Sequence, residues 1–399
     1  MTHEQNEQIE QRLLQLCAGY EDVNDSQTLR KDPILTTLVL DQKNRGKKED
    51  KKQDVLSSSP TLCRMENRVD RSALKRLIKL QIDFYAKRNK KRFDDQIQQT
   101  GELLICIDLD PTDLETHGQQ PLAFYNGYYG HTAYLPMVIA DGDNGDLITV
   151  IPRPGNRHAT WFLRLIMKRL LARISSLYPE AKFKIRADSG FQSESWFSFL
   201  ESHPHIQTAT IGLATNASLD KLTKDAVRQF EEVHASREDL TKTVVHFGET
   251  GYRADSWSKF RRVIFQITKT FFGTTEIRYY YSTDHASRPE TIKLDYNQRS
   301  DLENRIKEWK TQMFAYRVSG ESFLVNAFRM VLSGFALIVF QELHKQLQNT
   351  TLANSYATTL REKIIKVAGV IKESTRRILL ILPESYPYQT IWQQLLNSA

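Results

Sequence analysis

The chain has 399 residues, 40% of them hydrophobic and 26% charged, and a formal net charge of +7. That length can bury a sizeable core over two or three domains, and the positive balance favours a polyanionic partner. Cys17, Cys63 and Cys106 are scattered and odd in number, which excludes a zinc ribbon and a disulfide framework and fits a reduced, cytoplasmic protein.

In chain order, Gln8 to Cys17 reads as a short amphipathic helix and Tyr20 to Asp32 as a loop and helix start. Met1 to Glu10 is polar, without the apolar core of a signal peptide. Asp41 to Ser59 is charged and then Ser-rich, and its run Arg45 to Lys52 reads as a solvated linker or a DNA-contacting loop. Asp70 to Phe93 has helical spacing at Leu74, Leu77, Ile78 and Ile82 and ends in the basic run Lys87 to Arg92, suited to a helix C-terminus or to phosphates.

From Glu102 the pattern changes. Leu103 to Ile107 is an apolar run closed by acids, as in a buried strand. Ala133 to Ala140 and Leu147 to Ile151 predict strands joined by the acidic turn Asp141 to Asp146. That turn is too short for a Ca²⁺ loop and lacks the closing Glu. Thr160 to Tyr178 predicts an amphipathic helix and Lys182 to Ala187 a further strand. Three strands, a helix and a strand are the order of a ribonuclease-H-like sheet.

Residues 207–283 break this rhythm with β-rich runs at Thr241 to Phe247, Arg262 to Phe272 and Glu276 to Ser282. Helices follow over Asn297 to Gln312, Glu321 to Leu347 and Thr358 to Lys372. A strand at Arg376 to Leu382 and a short helix at Tyr386 to Leu396 close the chain. The most apolar stretch, Phe323 to Phe340, carries Asn326 and Arg329, so it reads as a buried helix and no membrane is expected.

The expected fold class is α/β, a ribonuclease-H-like catalytic domain interrupted by a β-rich insertion, with helical terminal regions. Its divisions are 1–100 (helical, DNA-binding), 101–205 (first part of the core), 206–290 (β-rich insertion), 291–347 (second part of the core) and 348–399 (C-terminal helical region).

Three acid positions stand out. Asp108 and Asp110 lie two apart at the end of the first buried strand, on one face of it. Asp188 closes another strand before a Gly turn. Ligand sites in α/β sheets gather at strand C-termini. An Asp there is also an ordinary turn or cap residue, and Glu303, with Asp301 and Asn304 near it, an ordinary surface charge.

The context of Glu303 is sharper. Tyr296, Arg299, Glu303 and Lys310 fall within an arc of about 60° if the segment is one α-helix. Leu302, Ile306, Trp309 and Met313 form an adjoining apolar stripe. A carboxylate flanked by two cations and a phenol suits a metal-bound acid beside a phosphate. Hard carboxylate ligands suit Mg²⁺, and a two-metal phosphoryl transfer holds its ions about 3.5–4 Å apart. No phosphate loop of the Walker type and no Gly-x-Ser-x-Gly elbow occurs in the sequence. His117, His131 and His158 lack partners at zinc-ligand spacing. The loop Arg153 to His158 is placed to shape the site, with Arg153 and Arg157 as candidate DNA contacts.

The run Tyr296-x2-Arg299-x3-Glu303-x6-Lys310 resembles the signature of DDE transposases of the insertion sequence 4 group. Further segments resemble the insertion sequence 1380 family: Gly19 to Asp25, Asp108 to Asp113, Thr116 to Gln120, Phe124 to Tyr129, Arg153 to His158, Arg186 to Phe191, Glu303 to Glu308 and Ser374 to Pro383. The likeness covers nearly the whole chain.

It implies catalytic, metal-holding acids at Asp188, Glu303 and Asp110. Asp110 is preferred as the first because Asp110-Pro111-Thr112 fits the group's Asp-x-Thr, with Asp108 as the alternative or a supporting carboxylate. Tyr296 and Arg299 would hold the phosphate beside the cut and Lys310 the DNA end, with Arg305 and Lys307 as further DNA contacts. Trp257 would be a stacking platform in the insertion, or a core residue.

The resemblance implies two Mg²⁺ ions with Mn²⁺ as substitute. It also implies double-stranded DNA as partner, both terminal inverted repeats and target, a homodimer on that DNA, and a place at the bacterial nucleoid. Family members carry a further segment before the Gly-Tyr-Glu-Asp motif, so a second reading is a truncated, inactive DNA-binding regulator of transposition. A third, a carboxylate-pair hydrolase acting on sugars, is disfavoured by the cationic face around Glu303.

Overall fold

The computed structural model describes residues 3–44, 55–235, 243–270, 273–373 and 378–398. The basic run Arg45 to Lys52 lies outside them. Among the described residues, thirteen strands follow in chain order. They are β1 (Leu103–Pro111), β2 (Leu114–Glu115), β3 (Phe124–Asn126), β4 (His131–Tyr134), β5 (Met137–Asp141), β6 (Leu147–Ile151) and β7 (Ala181–Ala187), then β8 (Ile206–Leu213), β9 (Val244–Tyr252), β10 (Arg261–Lys269), β11 (Thr275–Ser282), β12 (Val370–Glu373) and β13 (Ile378–Ile381).

Eight of them make one mixed sheet in the order β6-β5-β1-β7-β8-β11-β10-β9. Strand β1 lies inside it, antiparallel to β5 and parallel to β7. Its side chains alternate: Leu103, Ile105, Ile107 and Leu109 enter one core, so Asp108 and Asp110 share the opposite face. Strands β2, β4 and β3 form a small sheet that springs from the end of β1.

The first core is closed by the helix Leu163–Leu177, which buries Leu163, Met167, Leu170, Leu171 and Ile174 at helical spacing. Each such side chain contributes about 1.5–3 kcal/mol of transfer free energy. The second core is built on the helix Phe323–Gln346, long and apolar enough to cross a membrane but mostly buried within this protein. Arg361 ties the C-terminal region to it, donating to the carbonyls of Cys17, Leu16 and Gln312.

The mixed α/β class is as expected, with several local differences. The helix expected from Thr160 starts at Leu163, because Phe162 adopts φ +52°. The helix expected over Asp70 to Phe93 is two, Arg71–Arg88 and Lys90–Thr100. Asn89 breaks it, its side-chain amide donating to Tyr85 O and to Asp146. The basic end of that segment is engaged within the fold: Arg88 pairs with Asp146 and Glu342, and Arg92 with Asp141. The acidic turn it meets is thereby neutralised.

Residues 206–290 are not β-rich throughout, since the helix Ala217–Val233 lies among them. Their strands continue the large sheet through pairing of β11 with β8. The helix expected over Thr358 to Lys372 stops after Ala357–Leu360 and a π-helical turn, Arg361–Ile365. Gly369 and the β-branched Val370 and Ile371 then favour the hairpin β12–β13.

Buried Arg261 joins the helix Glu194–Ser202 to β10 by donating to Glu194 and Glu201. Its hydrogen bonds hold the Glu194 carboxyl down to about 2, helped by Ser258 and Ser198 against the smaller opposing effect of burial. A carboxylate depressed in the folded state contributes stability above its unfolded value, and this is lost as the pH falls through the folded value. Glu194→Gln is therefore expected to cost about 1 kcal/mol at pH 7, allowing for solvent screening. Urea unfolding should show the gap narrowing as the pH is taken below about 4.5.

Candidate active site

The site forms where β1 and β7 end side by side. Asp110 is on the last turn of β1's pleat, and Asp188 follows β7, where its carboxylate accepts from the Gly190 N–H at 2.9 Å. Between them lies the buried guanidinium of Arg299. Its Nη2 is 2.9 Å from Asp110 Oδ2 and 3.9 Å from Asp188 Oδ2, and it approaches Leu109 O at 3.5 Å. Nε of Arg299 is buried and has no partner among the described residues, leaving a donor within the site.

Burial pushes the Asp110 carboxyl up to about 7; Arg299 opposes this, and the charges of Asp188 and Glu303 add to the rise. Burial alone would disfavour the charge of Arg299, but Asp110, Tyr296 and Asp188 outweigh it and hold the guanidinium more basic than usual. The Tyr296 hydroxyl donates to Ala187 O at 3.2 Å, and burial raises its pKa to about 12. Glu303 is exposed on the helix Ser300–Lys307.

The helix geometry expected for these residues is different in the structure. Tyr296 ends one helix, Pro289–Asn297, and Glu303 lies on the next, with Arg299 at the junction. Lys310 sits in a π-helical turn, Glu308–Gln312, that widens the helix end. The four side chains therefore do not share one α-helical arc, yet Tyr296 and Arg299 still reach the ends of β7 and β1. Lys310 Nζ binds Asp113 at 2.8 Å and lies 3.4 Å from Thr112 Oγ1.

Asp108 is placed otherwise. It is buried and receives two hydrogen bonds from Arg186, at 2.7 and 2.8 Å. Burial raises its pKa, and the hydrogen bonds and charge of Arg186 oppose the rise without reversing it. The structure thus puts Asp110, not Asp108, beside Asp188 and Arg299.

The remaining candidates are dispersed. Arg153 is fully buried and donates to the carbonyls of Ala159, Arg157 and His158, so it braces its loop from within and offers nothing to DNA. Arg157 lies over the Trp161 ring at 4.9 Å. Trp257 is 8% exposed, packed by Phe197 and Tyr252 with Arg261 over its ring, and presents no face for a base to stack on. Arg305 pairs with Asp301 and Glu308, and Lys307 is exposed.

Sequence reasoning missed Arg186, Asp113 and Tyr129. Asp113 accepts from Lys310 and meets His131 Nε2 at 2.9 Å, and the Tyr129 ring stacks on His131. Burial pushes the Tyr129 hydroxyl up, with the charges of Asp113, Asp110 and Asp188 adding to it. The signal for Arg186 was its place two residues before Asp188, alternating inward on a buried strand.

Among the described residues, no three His, Cys, Asp or Glu side chains stand close enough together to hold a metal ion as they are. The donor chemistry nonetheless fits a divalent ion. Two carboxylates converge on one guanidinium nitrogen, and a third raises the proton affinity of the first.

Carboxylates gathered at strand ends beside a buried arginine define an acid site suited to phosphate chemistry. Residues 1–398 match the family model described as transposase DDE domain group 1, and the chain belongs to that family. Among solved structures it is similar to the piggyBac transposase in a synaptic complex with hairpin DNA, at 16% identity and a TM-score of 0.38, over 83% of this chain and 69% of that one. No curated protein matches the chain.

The two neighbouring acids of β1 should separate in their effects on stability. Asp108→Asn, which leaves Arg186 buried and half-partnered, is expected to lower the unfolding free energy by about 3–5 kcal/mol. Asp110→Asn should cost less, because Arg299 keeps Asp188 as a second counter-charge. Urea denaturation of both variants at pH 7 checks the difference.

Proposed function

We propose that the protein is the transposase of an insertion sequence, of the insertion sequence 1380 kind, that cleaves element ends and joins the freed 3′-hydroxyl to target DNA. The observation that carries this reading is the Arg299 guanidinium set between Asp110 and Asp188. We read β6-β5-β1-β7-β8 as a ribonuclease-H-like core and residues 206–290 as its insertion, lying in sequence between Asp188 and Glu303.

In this reading Asp110, Asp188 and Glu303 hold the metal, two Mg²⁺ ions with Mn²⁺ as substitute. Bound there, the ions would supply an activated water and neutralise charge on the leaving oxygen. The chain's own residues do the rest. Arg299 has an Nε–H with no partner among the described residues to offer a phosphate oxygen, and its charge is maintained by the acids around it. Its ion pairs to Asp110 and Asp188 must loosen as the carboxylates take a cation. Tyr296, anchored on Ala187 O, bounds the phosphate on the β7 side. Lys310 exchanges Asp113 for a phosphate at the DNA end, a swap of one anion for another.

The Asp110 carboxyl, pushed up to about 7, would have to give up its proton to hold a cation, so metal affinity should rise with pH through that value. Phosphate contacts make DNA affinity steeply salt-dependent. Two copies acting on paired ends complete the proposal.

The test is Mg²⁺- or Mn²⁺-dependent nicking of DNA carrying the ends of the encoding element. The intact protein is expected to cut, and Glu303→Gln, Asp188→Asn and Asp110→Asn to bind without cutting. Arg299→Gln should slow cutting by about 10²–10³-fold. Binding without cutting by the intact protein would instead support the non-catalytic regulator.

A further inference from the structure

A cleft of about 1050 Å³ opens where the helices Arg71–Arg88 and Leu163–Leu177 flank the end of β6, the edge strand of the large sheet. None of Asp110, Asp188, Arg299 and Glu303 lines it. Its floor is apolar. Leu74, Ile78 and Ile82 line it at i, i+4 and i+8 on one helix, and Leu165, Ile166 and Leu170 on the other. Leu122 and Phe162 line it too. They are 43% and 58% exposed, and both hold left-handed backbone, at φ +66° and +52°. Bulky residues seldom adopt that conformation, and here it keeps two apolar side chains in water.

The charges around this floor have one sign. Six Lys and Arg residues line the cleft and no Asp or Glu. Arg71, Lys75 and Lys79 stand at successive turns of one helix, and Arg169 and Arg173 at successive turns of the other. Of these five, Arg173 alone has a carboxylate partner among the described residues, Asp83 at 2.6 Å. The sixth, Arg153, is fully buried, and its Nε has no partner among the described residues. It donates to three carbonyls, and no carboxylate offsets the burial that holds its pKa down to about 10.

An apolar floor between cationic edges suits an occupant that is apolar on one face and multiply anionic beside it. A single-headed lipid carries one charge for six cations, and duplex DNA offers phosphates but no apolar face of this length. The edge from Arg71 to Ile82 is about 16 Å long, or about three helical turns. An α-helix with an apolar stripe and flanking carboxylates has that length and that charge.

We propose that the cleft docks an acidic amphipathic helix of a partner protein, its apolar stripe on Ile78, Leu165 and Ile166 and its carboxylates on Lys75, Lys79 and Arg169. The proposal goes beyond the transposase reading and does not depend on it.

The test is fluorescence anisotropy of the full chain with a labelled synthetic peptide carrying Leu at i, i+3, i+4 and i+7 and Glu on both flanks. A scrambled peptide of the same composition is the control. The ordered peptide should bind about ten-fold or more tighter than the scrambled one, and Leu165→Gln should remove that difference. Lys75→Glu with Lys79→Glu should weaken binding about ten-fold or more, and that variant should instead take a peptide with Lys in place of Glu. All three positions are exposed, and the exchanged preference shows the double variant folded. Equal binding of ordered and scrambled peptides would overturn the proposal, as would peptide binding that neither set of substitutions alters. If neither peptide binds, the proposal fails. Binding of dodecanoate or duplex DNA, or self-association, that Leu165→Gln then abolishes would assign the cleft to a lipid, to nucleic acid or to a second copy.

Discussion

The arrangement of the whole site depends on one buried guanidinium, that of Arg186. It donates to both oxygens of Asp108 on β1, to Gly142 O in the turn after β5, and to Asp295 O in the helix Pro289–Asn297. A buried ion pair recovers its desolvation cost only when its remaining donors are satisfied, and here all three nitrogens have acceptors. The turn comes so close that a Cβ at Gly142 would fall on this guanidinium, which is why a residue without a side chain stands there. Lys184, on the same face of β7, adds a second tie to Asp295. Three elements distant in sequence are thereby fixed to the sheet behind the acids.

The two acids of β1 show how one strand face yields opposite chemistry. Asp108, deeper in the sheet, is fully committed to Arg186. Asp110, one pleat further out, meets an arginine that it shares with Asp188 and that keeps an unused donor. The first arrangement is closed and structural. The second is incompletely satisfied, as a site that exchanges protein charges for ligand charges must be.

Much of this was legible in the chain. The apolar run at Leu103 to Ile107, the amphipathic helix before β7 and the acids closing β1 and β7 follow from periodicity, and the mixed α/β class follows from their order. Periodicity failed where local chemistry or tertiary pairing overrides it. Asn89 interrupts a helix through its own side chain, and the Tyr296-to-Lys310 segment is broken at Arg299 and widened at Lys310. Ile206 to Leu213 becomes a strand because β7 and β11 flank it. Exposure was equally invisible. Trp257 and Arg153, attractive as DNA contacts in a one-dimensional reading, are enclosed by residues that only the fold brings to them.

The position of β1 also sets the order in which the molecule can be assembled. Its antiparallel neighbour β5 follows closely in the chain, but its parallel neighbour β7 comes much later, after the helix Leu163–Leu177. During synthesis Asp108 must wait, uncompensated, until Arg186 emerges, and Asp110 waits longer for Arg299. Pairings of such sequence separation slow folding and leave hydrophobic strands exposed meanwhile. The acid cluster is complete only after Glu303 has emerged, by which point every strand of the large sheet has been made.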